Sequence, residues 1–162
     1  MRTPIIRAAA LTDLDSLLAL EADSFGSDRL SARSFRHFLK APTAACRVGE
    51  AGGHVVAYAL TMFRKGSRVA RIYSIAVAEE ARGRGLAAAL LADAERIGVA
   101  RGAERISLEV RGDNPAAIRL YERHGYAFKG IYPDYYEDGA DARRYEKRLD
   151  RTSQPRSGQA EP

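Results

Sequence analysis

Residues 74–91 read SIAVAEEARGRGLAAALL, from Ser74 to Leu91. They hold a strand end, a polar loop with two glycines and the first turns of an apolar-striped helix. A strand that passes so abruptly into a helix presents free backbone N–H groups and a positive helix end at one point, which is an anion site by construction. Gly83 and Gly85 allow the positive φ angles and the close backbone approach that a phosphate cradle needs. Arg82 and Arg84 add full charges there. A lone Gly-x-Gly also serves as a plain tight turn, so both readings stand at this point. No Lys-Ser/Thr follows the second glycine, which excludes a P-loop, and the dinucleotide fingerprint is incomplete.

Working outward, residues 69–77 read as the third strand of a meander. Residues 44–50 and 54–63 precede it, with Gly52-Gly53 as a hairpin turn and Lys65-Gly66-Ser67 as the next. Residues 5–8 form a short opening strand. Thr12 is placed to cap a helix carrying Leu14, Leu17, Leu18 and Ala22, which Gly26-Ser27-Asp28 breaks. Ser31 caps a second helix with Phe35, Phe38 and Leu39 on one side, and Pro42 ends it. Beyond the loop, a helix runs through Leu86, Leu90, Leu91, Ala94 and Ile97 to Gly102. A strand at 105–110, a helix from Asn114-Pro115 to Gly125, and strands at 127–132 and 143–149 complete the order. This pattern predicts a mixed α/β (α+β) domain over residues 1–149. Residues 150–162 have almost no apolar content and read as a disordered tail.

The 46% hydrophobic content supports one core, and no apolar run is long enough to span a bilayer. The N-terminus lacks the apolar stretch of a signal peptide. The single cysteine, Cys46, excludes an internal disulfide and a cysteine-rich metal site, so a soluble, cytoplasmic protein is expected. The net charge of +5 fits nucleic-acid binding, a local patch for a polyphosphorylated molecule, or an Arg-biased solvated surface. The basic residues are spread among acids, and no nucleic-acid motif accompanies them. His37, His54 and His124 have no metal-ligand spacing.

Residues 108–126, LEVRGDNPAAIRLYERHGY, form the second informative segment. A strand delivers Glu109, and a helix capped by Asn114 places Tyr121 two turns on, with Asn114, Ile118 and Tyr121 near one face. A carboxylate and a phenol so arranged can act as a base and acid pair. A surface Glu and a half-buried Tyr are the structural alternative.

Together the two segments resemble the GNAT superfamily of acetyltransferases. Arg82-Gly83-Arg84-Gly85-Leu86-Ala87 is similar to its pyrophosphate loop, and residues 114–121 with Gly125-Tyr126 are similar to its downstream signature. The resemblance covers residues 5–149 and implies a mixed sheet of about six to seven strands with about four helices. It is greatest to the RimI group, which acetylates the N-terminal amine of a ribosomal protein. Matching features include Leu108-Glu109-Val110-Arg111 and Tyr135-Tyr136. The chain departs from that group after the first helix, with Ser24-Phe25-Gly26-Ser27-Asp28-Arg29 where a Phe-Pro-Trp-like segment is usual, and has no tryptophan.

The resemblance implies acetyl-CoA as co-substrate, with no metal. Its pyrophosphate would lie on the amides of Arg82, Gly83, Arg84, Gly85, Leu86, Ala87 and Ala88, and its pantetheine arm along Ile75, Ala76 and Val77. Asn114 and Tyr121 would also touch the cofactor. Glu109 would be the base and Tyr121 the acid. Tyr135 and Tyr136 would meet the acceptor, with Asp134, Glu137 and Asp138 attracting its amine. The acceptor would be a peptide N-terminus or a small amine, and the enzyme a monomer or homodimer. A non-catalytic acyl-CoA sensor is the alternative from another class.

Overall fold

Gly52 and Gly53, both at positive φ, turn β2 (Ala44–Ala51) back into β3 (His54–Phe63), and β4 (Val69–Val77) completes the meander. The computed structural model describes residues 4–25 and 28–149. The expected tail at 150–162, and Gly26 and Ser27 of the expected helix break, lie outside them. The remaining elements are β1 (Ile5–Ala8), α1 (Leu14–Phe25), α2 (Ala32–Lys40), α3 (Leu86–Ala100), β5 (Arg105–Arg111), α4 (Pro115–Arg123), β6 (Ala127–Tyr132) and β7 (Ala142–Arg148). The seven strands form one sheet in the order β1-β2-β3-β4-β5-β7-β6. Only β4 and β5 are parallel, with α3 as their crossover. The four helices and seven strands agree with the mixed α/β expectation.

Alternation along β3 explains the two cores. Tyr58 and Leu60 pack with Leu17, Leu20 and Phe35 of α1 and α2, whereas Ala57 and Ala59 pack with Leu86 and Leu90 of α3. The small alanines let α3 lie close to the sheet. Leu91 and Ala94 extend that layer over Ala70, Ile72, Ile106 and Leu108.

Strand β4 does not keep its faces. Leu60 pairs with Ser74 and Thr61 with Ile72, so Tyr73 is an extra residue on β4. Because side chains alternate with period two, the insertion swaps the faces. Ala70 and Ile72 point into the α3 core, yet Ala76 points into the α1/α2 core. The ladder to β5 also stops there, pairing residues 69–72 with 105–108 only. Past that point β4 and β5 part and leave a wedge.

Two helix caps stand as expected: Ser31 Oγ accepts from Ser34 N–H at 3.1 Å, and Asn114 Oδ1 accepts from Ala117 N–H at 3.2 Å. Thr12 does not cap α1. A 3-10 turn (Leu11–Asp13) leads into the helix, and the Asp13 carboxylate accepts from Ala10 N–H at 2.7 Å. Asp13 takes this role because Arg7 of β1 grips it at 2.8 Å, which also holds its carboxyl below the usual carboxylate range.

Leu90 is fully buried between α3 and the alanines of β3. Leu90→Ala should destabilise the protein by about 3 kcal/mol. Differential scanning calorimetry would read this as a lower Tm, and an unchanged Tm would contradict close packing at that layer.

Candidate active site

The wedge between β4 and β5 opens into a cleft of about 710 Å³. It brings together Ile75, Glu109, Asn114, Tyr121, Tyr135 and Tyr136, all named from the sequence. Residues 74–77 have no β5 partner, and of these Ser74 and Ile75 line the cleft, so backbone groups on that side are open to an extended ligand. The side chains of Ala76 and Val77 pack into the cores, leaving only main chain for such a contact, and Val77 O already accepts from Arg82.

The glycine loop sits where β4 ends. Gly83 and Gly85 have φ of +79° and +78°, and a Cβ at either would meet nothing within 4 Å. Left-handed backbone therefore demands glycine here, and the space above the loop is open. Gly85 caps α3 without a side-chain hydrogen bond, and no acid lies in the helix's first turn. The first amides, including those of Leu86, Ala87 and Ala88, are thus left for an anion. Leu86 contributes through its main chain alone, since its side chain is buried under the sheet. Arg82 folds back so that its Nε donates to Val77 O at 3.2 Å, while Arg84 is exposed.

Glu109 is not a lone surface carboxylate. Its side chain is 6% exposed, and Arg71 holds Oε1 at 2.7 Å. Arg144 of β7 lies 3.6 Å from Oε2, beyond hydrogen-bond range, so that oxygen keeps a free lone pair. Tyr121 is nearly buried, edge-on to Tyr126 at 5.9 Å, and lines the cleft. Burial pushes its phenol up to about 12. Asn114 spends Oδ1 on the α4 cap, which leaves its amide nitrogen for a ligand.

Two loops frame the cleft mouth. Asp28, after α1, accepts from Glu137 N–H at 3.1 Å, and Arg111 binds Asp138 at 2.6 Å. Tyr136 stacks under Arg111 at 5.0 Å, and Tyr135 accepts from Arg71 at 2.9 Å. Of the three loop acids expected to draw an amine, Asp134 and Glu137 do not line the cleft. Asp138 does, but Arg111 already occupies it.

Sequence reasoning missed Glu21. This carboxylate is 1% exposed and reaches the cleft wall from α1. It accepts from Tyr58 O–H, from Ser74 O–H at 3.2 Å and from Leu30 N–H at 2.6 Å. It therefore ties the loop after α1 to the opened half of β4. The available signal was its spacing, because Leu17, Leu20 and Glu21 share the buried face of α1.

Cys46 is buried in the α1/α2 core, and burial pushes its thiol up to about 12, so it is inert packing rather than a nucleophile. Among the described residues no cluster of His, Cys, Asp and Glu is arranged to hold a metal. No helix among them is long and apolar enough to cross a membrane.

A parallel-strand wedge whose cleft holds an acid and a phenol, beside a glycine loop that opens a helix without a side-chain cap, suits the chemistry of acyl transfer. The chain belongs to the acetyltransferase (GNAT) family, whose model matches residues 11–126, and it is an N-acetyltransferase that acts on an amine. It is 36% identical over 140 residues to an uncharacterized N-acetyltransferase of Methanocaldococcus jannaschii, covering 85% of this chain and 87% of that one. It is 33% identical over 152 residues to an N-alpha-acetyltransferase of Sulfurisphaera tokodaii, covering 85% and 88%. The fold is similar to the ribosomal-protein-S18-alanine N-acetyltransferase of Escherichia coli, with a TM-score of 0.80 at 27% identity over 91% of this chain and 95% of that one. The RimI-like expectation is borne out at this level.

Tyr58→Phe removes one donor from buried Glu21 and should cost about 2 kcal/mol, read as a lower urea midpoint. Gly85→Ala should cost about 1–2 kcal/mol through its left-handed backbone. A thermal melt at the wild-type temperature would show that the loop relaxes to another conformation.

Proposed function

We propose that the chain transfers acetyl from acetyl-CoA to the α-amine of a polypeptide N-terminus. The observation that carries this reading is the shared cleft, in which Glu109 and Tyr121 face the opened edge of β4 while two loops frame its mouth. The Escherichia coli and Sulfurisphaera tokodaii proteins, by their names, act on α-amines, which supports the same acceptor class here. The charge cost points the same way. An α-amine has a pKa of about 7.7–8.0 and a lysine about 10.4, so neutralising lysine costs roughly 3.5 kcal/mol more. A single carboxylate base suits the easier task.

Each residue then has one job. The amides of the 82–88 loop receive the pyrophosphate, and the main chain at 75–77 pairs with the pantetheine arm. A β4 amide polarises the thioester carbonyl. Glu109 accepts a proton from the ammonium at Oε2, directly or through water. The freed lone pair attacks the thioester carbonyl to form the C–N bond, the C–S bond breaks as Tyr121 gives its proton to the thiolate sulfur, and the second proton shed by the nitrogen returns to Tyr121 through water, leaving a neutral amide and a free thiol. Asn114 steadies the arm, and Tyr135 and Tyr136 pack on the incoming chain. No metal takes part in this scheme, and the reaction is placed in the cytoplasm.

Glu109→Gln should lower kcat on N-terminal peptides about 100-fold, with acetyl-CoA affinity by calorimetry unchanged. Equal turnover by this variant would remove Glu109 as the base. A phenol raised to about 12 stays protonated until pH approaches that value. The kcat profile should therefore show no falling limb from Tyr121 below about pH 10. A fall near pH 9 that vanishes in Tyr121→Phe would contradict this assignment.

A further inference from the structure

A second cavity, of about 740 Å³, adjoins the cleft and shares Arg71, Glu109 and Tyr135 with it. The two differ in charge. The cleft is lined by four carboxylates (Glu21, Asp28, Glu109 and Asp138) and two guanidiniums. The second cavity is lined by Arg64, Lys65, Arg71 and Arg144 against Glu109 alone. Arg71 and Arg144 flank that carboxylate and Arg144 also pairs with Glu146 at 3.3 Å, so among the described residues the unpaired positive charge comes from Arg64 and Lys65, exposed at the turn between β3 and β4.

The register gives the scale. Arg105 lies opposite Val69 and Leu108 opposite Ile72, so Glu109, the next residue of β5, stands four residues along that strand from the level of Val69. At about 3.3 Å per residue this is about 13 Å. An extended acceptor with its amine at Glu109 that runs along β5 toward the level of Val69 lays its second to fourth residues over the basic cavity. Phe38 of α2 and Tyr132 of β6 form further walls there.

We infer that this enzyme selects polypeptide N-termini whose second to fourth residues are acidic, with Arg64 and Lys65 as specificity-determining residues. This rests on the α-amine reading above. A negative segment is attracted to the excess charge, whereas a basic one is repelled by it and must desolvate against it. The acceptor is dipolar, its cationic end in the acid-lined cleft and its anionic stretch in the basic one.

The test uses the whole enzyme, acetyl-CoA and three peptides that begin with serine and carry Asp/Glu, Asn/Gln or Lys/Arg at positions two to four. The acidic peptide should exceed the neutral one about tenfold in kcat/KM at low salt, mainly through KM, with the basic peptide last. Added NaCl should shrink that ratio. In Arg64→Glu/Lys65→Glu it should fall to about one or invert, with the thermal melt showing that the variant is folded. Equal rates on acidic and neutral peptides, or a preference for the basic one, would overturn this inference and leave α-amine acetylation standing. Absence of turnover on all three peptides, with small amines acetylated, would overturn the α-amine reading itself.

Discussion

The one extra residue at Tyr73 is the constraint on which the rest of the site depends. A regular β4 would continue its ladder with β5 and carry the same face into the α3 core along its whole length. The bulge does two things at once. It releases the strand edge at 74–77, and it turns Ser74 toward Glu21 and Tyr58 rather than toward α3. Backbone hydrogen-bonding capacity that a closed sheet would consume is thereby kept in reserve for a ligand. The protein compensates with a buried polar network on the opposite face, where Glu21 is satisfied by three donors.

The site divides by the kind of atom used. The half proposed to hold the pyrophosphate and pantetheine arm is built of main chain: the loop amides, the first turn of α3 and the free edge of β4. Such groups depend on conformation, so the residues that matter there are glycines and the bulge. Its other half is built of side chains that arrive from distant parts of the chain. Arg71 and Glu109 are 38 residues apart, and Asp28 and Glu137 are 109 apart. Substitution in the second half can change which amine is accepted while the first half stays intact.

That division also explains what the sequence disclosed. The glycine loop, the Gly52-Gly53 hairpin, the Ser31 cap and the Asn114-Pro115 helix start depend on neighbours a few residues away, and each was readable. Tyr121 was readable through its helical spacing from Asn114. Thr12 misled because the deciding contact came from Arg7 on another element. The guanidinium pair around Glu109 and the three donors on Glu21 carry no local signature, since they exist only once the sheet has formed. The Tyr73 bulge was invisible for the same reason: nothing in Arg-Ile-Tyr-Ser-Ile distinguishes it from ordinary strand.

The place of β7 has a consequence for biosynthesis. In chain order it follows every other described element, yet in the sheet it lies between β5 and β6 and bonds both. It also brings Arg144, one of the two guanidiniums beside Glu109. Until it arrives, a nascent chain on the ribosome presents two raw sheet edges and an incomplete charge cluster. A product cut short before β7 would therefore be an aggregation hazard rather than a slow enzyme, and the competence of the site is checked by completion of the chain.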